Sequence, residues 1–229
     1  MQNKNICIIP ARGGSKRIPK KNIKLFLGKP IISYSIELAL KSNLFDEIMV
    51  STDNDEIAEI AIKSGANIPF FRSSQNSNDF ATTLDVIQEV RLEYLKLNKI
   101  FDNVCCIYPT APLVNISDLV KGYDLIKMKL YDVVYPITEF SYPILRSVII
   151  DNLGNVKMKW PEYANSRSQD LEKHFHDCGQ WYWYNNSGLL NNRFENIKPV
   201  IIDNIGVQDI DNLSDWKLTE MKYIIINNL

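Results

Sequence analysis

The stretch that decides the fold lies near the start of the chain and reads Ile6-Cys7-Ile8-Ile9-Pro10-Ala11-Arg12-Gly13-Gly14-Ser15-Lys16-Arg17-Ile18-Pro19-Lys20-Lys21-Asn22. Its apolar beginning, residues 6–9, predicts a strand of a parallel sheet that is buried on both faces. Pro10 ends this strand. The Gly13-Gly14 pair predicts a turn with positive φ angles that brings several N–H groups to one side.

Five cations follow the strand within ten residues, and they are Arg12, Lys16, Arg17, Lys20 and Lys21. Turned backbone amides together with so many cations suit a polyphosphate. The spacing matches neither the G-x-x-x-x-G-K-[ST] loop nor the G-x-G-x-x-G loop. The alternative is a solvated basic loop after an edge strand, but such a loop has no need of a Gly-Gly pair directly at the strand end.

Composition restricts the function classes. The chain has 229 residues, of which 45% are hydrophobic and 23% are charged, as in a globular α/β domain with a core of its own. The formal net charge of -1 argues against a bulk nucleic-acid binder, so the basic loop predicts a small anionic ligand. Because no signal peptide and no apolar run of membrane-spanning length is found, we expect a cytoplasmic protein with no membrane partner.

The cysteines carry no metal or disulfide pattern. Cys7, Cys105 and Cys106 lie within apolar strand runs, and Cys178 has no partner at ligand spacing. We therefore predict that they are reduced and that the first three lie in the core. His174 and His176 are the only histidines, and metal binding by this pair is disfavoured against a structural role.

Apolar runs alternate with helical patterns over residues 1–137. Strands are predicted at residues 47–51, 68–71, 104–108 and 132–137, and helices begin near residues 30, 55, 81 and 117, the last capped by Ser117. This alternation predicts an α/β fold with a doubly wound, mostly parallel sheet flanked by helices. Near residue 138 the alternation stops, which predicts an excursion with strands of its own. The sheet resumes at residues 180–183 and 199–202, and a last helix from Leu213 is predicted to face inward with Trp216 and Met221.

Ligands of such sheets lie at the carboxyl ends of the strands, where Arg72, Tyr108 and the segment after residue 202 are expected to meet the first loop. Asp209 and Asp211 flank one apolar residue, so in an extended segment they share a face and can hold Mg²⁺ beside a triphosphate. The alternative is that they are acids at the N-terminus of the last helix. The residues alone favour neither reading.

Ile9-Pro10-Ala11-Arg12 through Lys21-Asn22 resembles the pattern I-P-A-R-x-G-S-K-x-x-x-x-K-N, the nucleotide loop of the acylneuraminate cytidylyltransferase family, whose members activate acidic eight- and nine-carbon sugars. The segment at residues 207–211 resembles the V-x-D-I-D metal motif of this family and favours the Mg²⁺ reading. The resemblance covers nearly the whole chain. It implies a single Rossmann-like nucleotide-diphospho-sugar-transferase domain at residues 1–229, CTP as substrate, and a homodimer with an inserted dimerisation arm at residues 138–187 that completes the partner's sugar pocket.

The resemblance also implies site residues. Nucleotide contacts are implied for Ala11, Arg12, Gly13, Gly14, Ser15, Lys16, Lys21, Asn22, Arg72, Ala81 and Thr83. Catalytic roles are implied for Arg12, Lys21 and Asp211, and Mg²⁺ ligands for Asp209 and Asp211. Residues 167–171 resemble the R-x-Q-D-L run of the sugar site, which implies sugar contacts by Arg167 and Gln169. An arginine fork suits a carboxylate, and a surface salt bridge is the alternative. Arg146 is a second basic candidate.

Two features bear on the sugar. Residues 176–183 resemble the H-D-A-G-Q-F-Y-W run of the pseudaminic acid branch of the family. Tyr108 stands where the sialic acid enzymes carry a glutamine that touches the sugar, which argues against N-acetylneuraminate. The resemblance thus implies that CTP and pseudaminic acid give CMP-pseudaminic acid and pyrophosphate. The alternatives are N-acetylneuraminate, legionaminate or Kdo as substrate, or a non-catalytic nucleotide-binding protein, which could have lost Asp209 and Asp211.

Overall fold

The computed structural model describes residues 4–229. Its strands are β1 Asn5–Pro10, β2 Leu25–Phe26, β3 Lys29–Pro30, β4 Glu47–Ser51, β5 Asn103–Ile107, β6 Val133–Glu139, β7 Val148–Ile150, β8 Val156–Met158, β9 Phe175–Asp177, β10 Trp181–Asn185 and β11 Ile197–Ile201. The α-helices are α1 Ile31–Ser42, α2 Asp55–Lys63, α3 Thr83–Lys96, α4 Ile116–Ile126, α5 Asn186–Asn191 and α6 Leu213–Asn227. None of the helices in this part of the chain is long and apolar enough to cross a membrane.

Seven strands form the central sheet in the order β11-β6-β10-β5-β1-β4, with β9 beside the end of β6. β1 is parallel to β4 and β5, and β11 is parallel to β6. β10 is antiparallel to both β5 and β6, so those two strands point the same way. β1, β4, β5, β6 and β11 therefore share one direction, against β9 and β10. The predicted α/β fold with a mostly parallel sheet is confirmed.

β1 is apolar throughout because both of its faces are covered. Cys7 and Ile9 pack into a cluster that includes side chains of α1, α2 and α4. Ile6 and Ile8 pack into the opposite cluster, which includes side chains of α3 and α5. Side chains alternate across a strand, so a strand between two helical layers needs an apolar residue at every position. All four cysteines are free and buried, which confirms the predicted core positions of Cys7, Cys105 and Cys106 and adds Cys178.

A third, smaller core fixes the basic loop to the end of the chain. Ile18 of the loop, Phe26 of β2 and Ile31 pack with Ile210 and Trp216. All five side chains are buried, and the Phe26 and Trp216 rings meet edge to face with their centroids 5.8 Å apart. This cluster brings the segment at residues 209–211 against the loop at residues 12–22.

Three local predictions were wrong. Residues 68–71 form no strand, and only an isolated bridge between Met49 and Asn67 lies there. The cap of α4 is Asn115, whose Oδ1 accepts the Ser117 N–H at 2.8 Å, so Ser117 is capped rather than capping. Trp216 faces inward as expected, but Met221 on α6 is 61% exposed. These three predictions rested on an apolar run, a cap preference and a helical pattern, and none of these local signals reports the tertiary neighbours of a residue.

The excursion is smaller than the predicted arm at residues 138–187. β9 and β10 belong to the central sheet, so the part that leaves it runs from residue 140 to residue 174. Within this part, β7 and β8 form an antiparallel hairpin. Nearly every hairpin residue is exposed on this chain.

Candidate active site

A cavity of about 450 Å³ opens at the carboxyl ends of β1 and β5. It is lined by Pro10, Arg12, Ser15, Lys16, Arg17, Ile18, Lys21, Asn22, Arg72, Asp79, Ala81, Thr82, Thr83, Val86, Tyr108, Pro109 and Thr110. Most of the residues predicted to contact the nucleotide therefore share one cavity with Tyr108. The fold places them there because parallel strands end at the same edge of the sheet.

On the basic side of the cavity, the carboxylate of Asp79 pairs with two of the loop cations. Arg12 Nη1 donates to Asp79 Oδ1 at 2.7 Å and to the Asn78 carbonyl oxygen at 2.8 Å. Lys16 Nζ pairs with the other oxygen of Asp79. Hydrogen bonds from Lys16 and Arg12 hold the pKa of Asp79 below its usual range, so this carboxyl group is ionised at neutral pH. Two cations of the loop thus converge on one anion.

The glycine pair acts differently from the prediction. Neither Gly13 nor Gly14 has a positive φ angle, so the predicted left-handed turn is wrong. Gly13 packs closely on α2, since a Cβ there would lie 3.1 Å from Asn54 Cβ, the N-cap residue of that helix. The Gly13 N–H donates to Asp53 Oδ1 at 2.8 Å, and the Ser15 N–H donates to the Gly13 carbonyl oxygen at 3.0 Å.

Three of the predicted nucleotide residues do not line the cavity. They are Ala11, Gly13 and Gly14. Ala11 is fully buried, and its N–H donates to the Ser51 carbonyl oxygen at 2.9 Å. Asn22 does line the cavity, but its side-chain amide donates to the Arg12 carbonyl oxygen at 2.9 Å. Ala11 and Asn22 therefore shape the loop that presents Arg12.

Lys21 joins the cavity to the end of the chain. Its Nζ donates to the Ile210 carbonyl oxygen at 2.8 Å. Burial lowers the pKa of Lys21, although the nearby carboxylates of Asp209 and Asp211 act in the opposite direction. Lys21 thus lies between the loop cations and the carboxylate pair.

The carboxylate pair lies at the edge of the cavity and outside its lining. Asp211 Oδ1 pairs with Arg17 Nη2 at 2.7 Å, and Arg17 itself lines the cavity. The N-cap of α6 is Asn212, and the acid of its first turn is Asp215. Asp215 also accepts the Asp211 N–H at 2.9 Å. The capping role left open for Asp209 and Asp211 is thus filled by other residues.

The cavity wall also contains a buried arginine. Arg72 is 8% exposed, donates from Nε to Ser51 Oγ at 2.9 Å, and is bound by the Ser51 carbonyl oxygen. Burial lowers the pKa of Arg72. These contacts fix the guanidinium at the end of β4, where it faces the cavity.

Hydroxyl and ring contacts link Thr83, Tyr108 and Tyr182 in the cavity wall and behind it. Thr83 Oγ1 and the Tyr108 hydroxyl are 3.1 Å apart, so the predicted base contact and the predicted sugar contact touch each other. Burial raises the pKa of Tyr108, which therefore stays protonated. The Tyr108 ring packs on Tyr182, whose hydroxyl donates to both carboxylate oxygens of Asp177 at 2.8 and 2.9 Å.

The predicted sugar residues of the excursion lie away from the cavity in this single chain. Arg146 and Arg167 are exposed, and Arg167 Nε pairs with Asp170 Oδ2 at 2.7 Å. Gln169 lines a separate cavity of about 410 Å³ within the excursion. Of the four predicted sugar contacts, only Tyr108 therefore lines the main cavity.

Sequence reasoning missed Asp79 and undervalued Arg17. Asp79 is the only acid between residues 73 and 82, and that was the one available signal. Arg17 was counted among the loop cations, but its partner Asp211 is 194 positions away (211 − 17). No local sequence pattern predicts an ion pair between residues so far apart in the chain. No cluster of three or more His, Cys, Asp or Glu side chains suited to a metal exists among residues 4–229.

Comparison with known proteins identifies the class. Residues 6–159 match the sequence model of the family described as Cytidylyltransferase. The chain belongs to this family, and it is a nucleotidyltransferase.

Individual relatives narrow the comparison. The chain is 44% identical over 225 residues to a pseudaminic acid cytidylyltransferase of Campylobacter jejuni, covering 96% of each protein. It is 31% identical to a CMP-N,N'-diacetyllegionaminic acid synthase of Legionella pneumophila, covering 94% of each. Among solved structures, a CMP:2-keto-3-deoxy-manno-octonic acid synthetase complexed with CTP matches with a TM-score of 0.71 and 17% identity, covering 99% of this chain and 100% of that one. That structural match supports the fold.

Proposed function

We propose that the protein transfers the cytidylyl group of CTP to pseudaminic acid and releases pyrophosphate. One observation carries the proposal: Arg12, Lys16 and Lys21 meet at the edge of the sheet, beside the carboxylates of Asp209 and Asp211. The 44% identity to a pseudaminic acid cytidylyltransferase supports the choice of sugar. Because CTP is the substrate, we place the reaction in the cytoplasm.

The reaction is a displacement at phosphorus. The anomeric hydroxyl oxygen of the sugar attacks the α-phosphorus, the bond to the bridging oxygen of the β-phosphate breaks, and pyrophosphate leaves with that electron pair. The hydroxyl proton passes to water as the new P–O bond forms. The protein's main tasks are to position the two substrates and to neutralise phosphate charge.

The cavity residues divide between these tasks. Arg12 and Lys16 neutralise the β- and γ-phosphates, and Lys21, held by the Ile210 carbonyl oxygen, neutralises charge nearer the reacting phosphorus. Arg72, Ala81 and Thr83 face the nucleoside, whereas Tyr108 faces the sugar.

Asp209 and Asp211 are the proposed Mg²⁺ ligands. Mg²⁺ is commonly held by one or two carboxylates with substrate phosphates and water, so two acids at the cavity edge fit it without a third protein ligand. The bound ion would offset charge on the pentavalent phosphorus and on the leaving group. Within the chain, Arg17 holds Asp211 in place until the nucleotide arrives.

A homodimer is the proposed assembly, and its proposed interface is the arm at residues 138–187, which includes the excursion from the sheet. Val148, Ile150, Leu153 and Val156 of the β7–β8 hairpin are between 56% and 87% exposed in one chain. An apolar two-stranded hairpin has little stability alone, so a second copy that covers it is favoured. In that dimer Arg146, Arg167 and Gln169 would reach the partner's cavity and bind the sugar acid.

The test is a panel of sugar acids offered with CTP and Mg²⁺, with released pyrophosphate as the readout. We expect kcat/KM for pseudaminic acid to exceed that for N-acetylneuraminate by at least about 10²-fold, since a mismatched polar group in a pocket is costly. Tyr108→Gln should narrow this ratio, and Tyr108→Phe serves as the control that keeps the ring. Equal or faster turnover of N-acetylneuraminate by the wild type would contradict the sugar assignment and leave the cytidylyl transfer intact.

A further inference from the structure

The Asp79 carboxylate is bound by the same cations of the cavity that are proposed to bind phosphate. Its two carboxylate oxygens are divided between Arg12 and Lys16, the two cations proposed for the β- and γ-phosphates. The Arg12 guanidinium has no direct ion-pair partner other than Asp79 among the described residues 4–229. A phosphate group that reached these cations would meet a carboxylate already bound there.

A second carboxylate, that of Asp53, accepts a hydrogen bond from the backbone of the same loop. The Gly13 N–H, one of the amides expected to face a phosphate, donates to Asp53 at 2.8 Å. The loop therefore satisfies a main-chain donor with Asp53 and two side-chain cations with Asp79. Without ligand, much of its anion-binding capacity is directed at the protein's own acids.

The segment that presents Asp79 is held in place. Glu89 of α3 accepts the Ser73 N–H at 2.6 Å and the Ser73 hydroxyl at 3.0 Å. Asn78 Oδ1 accepts the N–H groups of Phe80 and Ala81 at 2.7 and 3.0 Å. Asp79 thus projects from a turn with its own hydrogen bonds, which places its carboxylate within reach of Arg12 and Lys16.

We propose that Asp79 is a competing carboxylate that sets the affinity of the enzyme for polyphosphates. CTP must displace it from Arg12 and Lys16 to bind, and the carboxylate returns when pyrophosphate leaves. It therefore weakens the binding of CTP and of pyrophosphate by a common factor and promotes product release. The identity of the nucleotide rests on the proposed function, whereas the competition with a polyphosphate does not.

Asp79→Asn keeps the shape of the side chain and removes its charge. We expect the variant to bind inorganic pyrophosphate and CTP about 3–10-fold more tightly in titration calorimetry, because exposed ion pairs of this kind contribute modestly. Asp79→Glu should stay near the wild type. Asp124→Asn removes the same charge from α4, where Asp124 pairs with Lys127, and should leave both affinities unchanged.

Salt dependence separates competition from a structural effect. In the wild type a phosphate replaces a fixed carboxylate, so the cations are neutralised before and after binding. In Asp79→Asn the free cations are screened by mobile ions, so the affinity for pyrophosphate should fall more steeply with added salt. A variant that had only loosened the loop would bind more weakly and show no such steepening.

The outcomes distinguish this inference from the proposed function. Unchanged or weaker pyrophosphate binding by Asp79→Asn, or no measurable pyrophosphate binding by either protein, would overturn the role of Asp79. Tighter pyrophosphate binding with a steeper salt dependence would support it, even if no sugar acid were activated with CTP. Failure of activation would then count against the substrate assignment alone.

Discussion

Lys21 offers the sharpest test of the proposed site, because it contacts both the cavity and the segment with the carboxylate pair. Lys21→Met keeps the aliphatic stem and removes the charge and the hydrogen bond to the Ile210 carbonyl oxygen. If Lys21 neutralises charge in the transition state, turnover should fall by about 10²–10³-fold, as for the loss of one preorganised donor.

The cost in stability should be much smaller. The variant leaves the Ile210 carbonyl oxygen without its donor, which costs about 1–2 kcal/mol. The loss is partly offset, because burial already disfavours the charged form of Lys21 and lowers its pKa. For a domain of this size, about 1–2 kcal/mol lowers Tm by about 2–8 °C. Native domains have stabilities of about 5–15 kcal/mol, so the variant remains folded at 25 °C.

The assay combines steady-state release of pyrophosphate with thermal denaturation of the same samples. Lys20→Met is the matched control, since Lys20 is the adjacent cation but pairs with Glu56. It should keep near-native turnover. The reasoning would be refuted if Lys21→Met kept turnover within about threefold of the wild type, or if its lost activity followed an unfolded fraction.

Three further predictions follow from single contacts. Asp209→Ala and Asp211→Ala should each lower turnover by about 10²–10³-fold in kinetic assays while remaining folded, and near-native turnover in both would contradict the Mg²⁺ assignment. Gly122→Ala would place a Cβ 2.5 Å from Trp181 Cη2, so it should destabilise the fold by about 1–3 kcal/mol in denaturant titrations, whereas Gly206→Ala, with no neighbour within 4 Å, should not. The backbone N–H groups of Asn196 and Glu195 lower the pKa of Asp132, so its contribution to stability is present above about pH 4 and is lost as pH falls through the lowered pKa. Asp132→Asn should therefore flatten the acid limb of stability against pH, and an unchanged limb would count against these contacts.

The central fold was readable from the sequence because its signals are local. The run at residues 6–9 is apolar at every position, which only a strand covered on both faces requires, and the structure confirms such a strand in β1. Glu47–Ser51, which has an apolar centre at residues 48–50, was also predicted to the residue. At residues 68–71 the apolar content suggested a strand, but Pro69 lacks the N–H that a ladder needs, and the chain there makes no strand pairing beyond the bridge at Asn67.

Part of the site was also predictable from the sequence. Four of the five loop cations, together with Arg72, Thr83 and Tyr108, lie at the end of a predicted strand, after one or near the start of a predicted helix. The sheet-edge rule brings these residues to one cavity. The motif at residues 207–211 marked the carboxylates, but nothing in the sequence showed that Lys21 reaches the intervening Ile210 carbonyl oxygen, 189 positions away.

Tertiary structure alone decided how the charges of the site are paired. Arg12 and Lys16 meet Asp79, which lies 67 and 63 positions away, and Arg17 meets Asp211. Ion pairs between loops have no period and no spacing rule, because they depend on where the core places each loop. The core formed by Ile18, Ile210 and Trp216 sets that placement for Arg17 and Lys21. Secondary structure was thus encoded by neighbouring residues, whereas the pairing of charges in the cavity follows from the packing of distant ones.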